Sequence, residues 1–146
     1  MGGLAGSWVM GQFQALLGRM MDSSGGPGDE PATVKAASAI ATPLLGRELT
    51  AKEKEIGGPA VHYAFGTLNG ALYGGLADFL PGITSAGGLL FATVLWLVAD
   101  EAMVPALGLS KMPGEYPPST HVYGLASHAV YGLTADAVRR LTGYFI

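Results

Sequence analysis

Leu89-Leu90-Phe91-Ala92-Thr93-Val94-Leu95-Trp96-Leu97-Val98 is apolar on every side of a helix. A helix without a polar face is either buried in a core or turned toward lipid. The stretch lies in a longer run, 79–99, that contains no Asp, Glu, Lys or Arg, and three further such runs occupy 1–18, 57–77 and 116–135. Each approaches the roughly 20 residues a helix needs to cross a bilayer core. The chain carries 8 basic and 11 acidic residues, and eleven of these charges fall between Arg19 and Glu55.

The bulk composition points the same way. Charged residues make up 13% of the 146-residue chain, about half the usual quarter for soluble domains. Glycine occurs 23 times, as in membrane helices whose backbones pack closely. A net charge of −3 argues against nucleic acid as a partner. The chain contains no cysteine, which removes disulfides, thiolate metal sites and a Cys nucleophile. Nothing basic precedes Leu4, and Gln12 and Gln14 interrupt the first apolar run, so the start does not read as a cleaved signal peptide.

The expected fold is all-α, a polytopic membrane helical bundle with three to four transmembrane helices in a single membrane domain over 1–146. The alternative is a soluble helical domain with unusually buried helices. Residues 1–21 form a first helix, spanning or lying in the interface. Residues 22–56 form a polar loop around Ser23-Ser24-Gly25-Gly26-Pro27-Gly28, with a short surface helix near Val34–Leu45 that Pro43 disturbs or ends. Residues 57–143 form a three-helix membrane core. Thr50 and Glu53 have capping-box spacing, and Gly57-Gly58-Pro59 is read as resetting the chain, so the second membrane helix starts near Pro59 and ends near Asp78. Pro81-Gly82 is a turn. Thr84 or Ser85 caps a third helix closed by Pro105 and Gly108, and Ser119 or Thr120 caps a fourth that ends near Thr142. Lys and Arg concentrate in the first and third loops, which places those loops in the cytoplasm. Trp8, Tyr63, Tyr116, Tyr123, Tyr144 and Phe145 lie near helix ends, as in an interfacial belt.

Two octapeptides echo each other. Ala71–Asp78 and Ala129–Asp136 both read A-x-Y-G-x-x-A-D at an offset of 58. The choice is between a duplicated helical hairpin and chance likeness of two Gly-Ala-Tyr-rich helices. Gly66, Gly70 and Gly74 recur every four residues between His62 and Asp78, and Gly124 and Gly132 share a stripe with His128, Asp136 and Arg140. Such stripes allow close helix packing, and the two are expected to meet each other within the monomer or across a dimer.

Ionisable groups inside a membrane are costly, so they mark candidate sites. His62, Asp100, Glu101 and His121 are expected at one depth, with His128 about two turns deeper. Imidazoles with carboxylates suit proton or ion handling, or a divalent metal. Bis-histidine haem ligation is the least favoured use. The bland alternative is wet, interfacial hydrogen bonding. Nucleotide-binding loops, H-E-x-x-H and a nucleophile elbow are absent from the sequence, and no catalytic residue is assigned.

Val61–Gly66, Gly70–Gly74, Trp96-Leu97-Val98-Ala99-Asp100-Glu101 with Pro105 and Gly108, and Ser127–Gly132 resemble the YagU-like bacterial inner-membrane family over roughly 57–140. Gly3-Leu4-Ala5-Gly6 with Val9-Met10 is similar to its first membrane segment. The resemblance implies a multi-pass inner-membrane protein of unknown activity, with acid tolerance suggested for a member and no catalytic residue to carry over. The leading expectation is a non-enzymatic integral membrane protein, structural or accessory, acting alone, as a homo-oligomer or in a larger complex. The alternatives are a proton- or ion-linked transporter using the His/Asp/Glu residues and a metal- or haem-binding subunit. No cofactor is required by the sequence.

Overall fold

The computed structural model describes residues 1–21 and 30–143. The glycine-rich stretch 23–28 and the belt residues Tyr144 and Phe145 lie outside the described residues. All regular structure among them is helical: α1 (Gly2–Met21), α2 (Ala32–Leu45), α3 (Ala51–Phe79), a 3-10 turn (Pro81–Thr84), α4 (Ser85–Val98), a π turn (Ala99–Met103), α5 (Val104–Ala106), a 3-10 turn (Pro113–Glu115) and α6 (Pro118–Gly143). Because α4 runs through the π turn into α5, five helical rods result.

Local chemistry sets the boundaries. Pro43 sits in the last turn of α2, and Gly46, at φ 68, closes it by donating its N–H to the Thr42 carbonyl, the left-handed cap that glycine tolerates. Thr50 and Glu53 form a reciprocal capping box at the start of α3. Arg47 holds the Glu53 carboxylate from both guanidinium ends, at 2.8 and 2.7 Å.

Gly57-Gly58-Pro59 does not reset the chain. Helix α3 passes through it without a break. The two glycines instead make room for α2: a Cβ at Gly58 would come within 2.6 Å of the Val34 side chain, and one at Gly57 within 3.0 Å of Ala37 Cβ. Pro59 removes one ladder N–H, and the helix continues on both sides of it, from the Thr50–Glu53 capping box to Phe79.

The third rod begins less regularly than Thr84 or Ser85 capping implies. Neither side chain caps a backbone N–H, and the Thr84 hydroxyl donates back to the Pro81 carbonyl at 2.8 Å. Ala86, Gly87 and Gly88 are all left-handed, at φ 53, 69 and 87. Gly88 is required there twice over, since a Cβ would also lie 2.6 Å from the Gly132 carbonyl oxygen. The rod ends at Pro105 and the left-handed Gly108.

Helix α1 packs on both α3 and α6, while α4 packs on α6 and α2 on α3. Gly2 lies beside Ala135 and Gly6 beside Tyr131, while Gly3 lies against Gly66 and Gly70. Helix α1 is therefore antiparallel to α3 and α6, and α4 is antiparallel to α6 through Gly88–Gly132 and Trp96–Gly124. The four rods α1, α3, α4–α5 and α6 alternate in direction, while α2 runs antiparallel to α3 through Val34–Gly58 and Ala37–Gly57 and so parallel to α1.

One helical stretch among the described residues, Pro81–Ala106, is long and apolar enough to cross a membrane. That is fewer than the three to four expected from charge-free runs. Lack of charge is a weaker criterion than apolarity: α1, α3 and α6 are diluted with Gly, Ser, Thr, Asn, Gln and His. The interior is also unusual. Ser7, Ser127, His128 and Asp136 are buried, whereas no described Leu, Ile or Val is.

Candidate functional site

The two glycine stripes do not meet each other. The α3 stripe receives α1, and the α6 stripe receives α4. On α3, a Cβ at Gly70 would overlap the Gly3 backbone, and one at Gly66 would overlap the Ser7 side chain. On α6, a Cβ at Gly132 would lie 2.6 Å from Ala92 Cβ, and one at Gly124 2.8 Å from the Trp96 indole nitrogen. Gly74 has nothing within 4 Å of where its Cβ would be. Helix α1 thus pairs with α3 across the intervening α2, and α4 with α6 across the loop that follows α5.

Two tyrosines tie the parallel helices α3 and α6 together. The Tyr73 hydroxyl donates to Asp136 Oδ1 at 2.7 Å, and the Tyr131 hydroxyl donates to the Gly66 carbonyl at 2.5 Å. These bonds join residues 63 and 65 apart in sequence. The sequence echo, at 58, would put equivalent residues level. The difference of about six residues slides α3 along α6 by roughly 9 Å at 1.5 Å per residue.

That slide separates the candidate polar residues. His62 faces α1, with Nε2 donating to the Ser7 carbonyl at 3.1 Å. It does not join Asp100, Glu101 and His121, because the level expected from the echo is not the level the helices adopt. Among the described residues no group of three or more His, Asp or Glu is placed to hold a metal ion.

Two acid–histidine pairs form instead between the π turn and α6. Glu101 Oε1 lies 2.7 Å from His121 Nδ1, and His121 Nε2 lies 3.1 Å from the Pro113 carbonyl. A carbonyl only accepts, so Nε2 carries a proton and donates it. Nδ1 then faces a carboxylate oxygen, and one proton must lie between them, on either atom. Both His121 nitrogens are thus engaged, which leaves no lone pair for a metal or haem iron.

His128 is buried, and its Nδ1 donates to the Gly124 carbonyl one turn back at 2.9 Å. Asp100 Oδ2 lies 3.6 Å from the same nitrogen, too far for a direct hydrogen bond. Consecutive side chains on a regular helix point about 100° apart. Here Asp100 and Glu101 sit in a π turn, a distortion often found at functional sites, and both reach α6. The common depth of the two acids and His121 was expected from the sequence; the π turn that lets both acids reach α6 was not.

The most heavily bonded group, Asp136, was not among the candidate site residues, although its pairing with Arg140 was expected from the sequence. Asp136 Oδ1 accepts from the Tyr73 hydroxyl and from Arg139 Nε and Nη2, at 2.7, 3.0 and 2.8 Å, and Oδ2 accepts from Arg140 Nε at 2.7 Å. The Asp136–Arg140 pair follows from i,i+4 spacing. The Tyr73 contact had a signal too, since A-x-Y-G-x-x-A-D places a Tyr and an Asp on each helix. Two surface concavities, one bounded by Leu80, Ile83, Leu90 and Phe91 and the other by Leu4, Trp8 and Tyr63, hold none of the five candidates.

Neither a curated protein nor a solved structure matches the chain. A family model described as protein of unknown function, DUF1440, matches residues 46–137, which takes in α3, α4, both acid–histidine pairs and Asp136 but neither α1 nor the two arginines. On that match, which covers more than half of its length, the chain belongs to the DUF1440 family.

Proposed function

We propose that the protein is a multi-pass inner-membrane protein without enzymatic activity, with α1, α3, the α4–α5 rod and α6 as its spans. The observation that carries this reading is a leucine-rich surface over an interior that mixes polar groups with Tyr73, Phe91 and Tyr131. Asp136, His128, Ser7 and Ser127 are buried, while Leu16, Leu68, Leu72, Leu90, Leu97 and Leu133 are exposed. In water, burial of large apolar side chains is the main driving force. In lipid the outside is as apolar as leucine, and association rests on close packing and polar contacts instead. The glycine contacts between α1 and α3 and between α4 and α6 fit that economy.

Helix α1, at 20 residues, is about 30 Å long and packs antiparallel in the bundle, which favours a span over a surface anchor. Both termini then lie outside the cytoplasm. The role is structural or accessory, alone, in a homo-oligomer or in a larger complex. Membranes washed with alkaline carbonate test the placement. The protein stays in the pellet if it spans, and release into the wash contradicts the reading.

A second reading, proton or ion handling, is favoured by the proton shared between Glu101 and His121 beside the Asp100–His128 pair. Proton flux into liposomes containing the intact protein tests it. Flux that falls in Glu101→Gln and His121→Ala supports it, and flux no greater than in empty liposomes removes it.

A further inference from the structure

We propose that Arg139 and Arg140 form a clamp for a phosphate group, either the phosphodiester in the headgroup of an anionic phospholipid or a free phosphate. The proposal rests on the membrane reading for the lipid source but not for the phosphate chemistry.

The two guanidiniums share one carboxylate. Asp136 accepts from both, and no other ion pair reaches either arginine among the described residues. One unit of positive charge is therefore left over. Asp136 is itself fixed by the buried Tyr73 hydroxyl at 2.7 Å, so both cations are anchored from the inside. Arg139 engages through Nε and Nη2, and Arg140 through Nε alone. Both Nη groups of Arg140, the more exposed of the two side chains, make no hydrogen bond to a described residue. The side chains are 34% and 57% exposed while that of Asp136 is 3%. The carboxylate faces the bundle and the unused N–H groups face its surroundings.

A forked guanidinium matches the oxygens of a phosphate in a way an ammonium does not. The pair stands in the last turns of α6, beside the exposed Leu133 and Leu141. It thus lies where a helix end meets headgroups in the membrane reading. A zwitterionic headgroup adds a second cation to a site that already has one too many, so an anionic lipid is preferred.

The test uses the full chain purified in detergent, with binding read by native mass spectrometry. The probes are short-chain phosphatidylglycerol, phosphatidylcholine with the same acyl chains, and inorganic phosphate. Retention of phosphatidylglycerol over phosphatidylcholine, weakened roughly tenfold or more in Arg140→Gln, supports the lipid source. Equal competition by inorganic phosphate supports the same clamp with a free anion as its ligand. Arg140→Lys keeps the charge and the Asp136 pair but loses the fork, so it should lose affinity while remaining folded. Equal binding of both lipids with no phosphate binding, or Arg140→Lys matching the wild type, overturns the proposal. Release of the protein by carbonate would instead overturn the membrane reading, with the phosphate arm still deciding the clamp.

Discussion

The hydroxyl of Tyr131 on α6 reaches the backbone carbonyl of Gly66 on α3 at 2.5 Å. A carbonyl has two lone pairs, so Gly66 accepts this bond in addition to its place in the helical ladder. The glycine itself makes room for α1, since a Cβ at Gly66 would overlap Ser7 while meeting the Tyr131 ring only at 3.4 Å, an ordinary contact. Tyr131→Phe keeps the ring and removes the donor. It is expected to lower stability by about 1 kcal/mol, read as a reduced denaturant midpoint in detergent.

Two glycines four residues apart separate packing from composition. Gly70→Val would drive a branched side chain into the Gly3 backbone, at a cost of about 1–3 kcal/mol. Gly74→Ala meets nothing within 4 Å and replaces a poor helix former, so it should be neutral or stabilising by up to about 1 kcal/mol. Thermal unfolding of the two variants in the same micelle measures the contrast.

Removing the Asp136 carboxylate strands the buried Tyr73 hydroxyl, while the two arginines, 34% and 57% exposed, can be solvated. Asp136→Leu is expected to destabilise the fold by about 1–3 kcal/mol. Tyr73→Phe, which leaves both ion pairs standing, should cost about 1 kcal/mol. The ratio of the two effects, from denaturant titration, shows whether the carboxylate or the hydroxyl carries the α3–α6 tie.

The start of α3 should resist acid. Hydrogen bonds from the Arg47 guanidinium, then from the Thr50 backbone and side chain, hold the Glu53 carboxyl well below the usual carboxylate range. A carboxyl with a depressed folded value stabilises above its unfolded value, near 4.3, and loses that contribution as pH falls through the folded one. Amide exchange at the first turn of α3 should therefore stay slow from neutrality to well below pH ~4. In Glu53→Gln the same amides should exchange faster at neutral pH, with little further change on acidification.

The charge-free runs made the rods legible, because exclusion of Asp, Glu, Lys and Arg leaves its mark residue by residue. Which glycines meet was not legible. Gly66 and Gly124 look alike as letters, and only the placement of α1 and α4 decides that one faces Ser7 and the other Trp96. The axial slide that carries His62 away from His121 is a property of two helices together, set by Tyr73 and Tyr131 and invisible to an alignment of their sequences. Pro59 misled for a related reason: its effect depends on α2 packing over Gly57 and Gly58. The left-handed Ala86 has no sequence signal of its own, since alanine ordinarily avoids that region. The Glu101–His121 pair was half legible, as two residue types near one loop whose hydrogen bonds only the fold could supply.

The absence of cysteine makes the membrane placement directly measurable. Single cysteines introduced at Lys52, Ser110, Leu80 and Thr142, with Leu68, Leu97 and Leu125 as mid-helix positions, can be labelled in intact and in opened cells with a maleimide that does not cross membranes. The account predicts that 80 and 142 label from outside, that 52 and 110 label only after opening, and that 68, 97 and 125 label in neither. Labelling of 68, 97 and 125 by the aqueous reagent, in protein released without detergent, would contradict it.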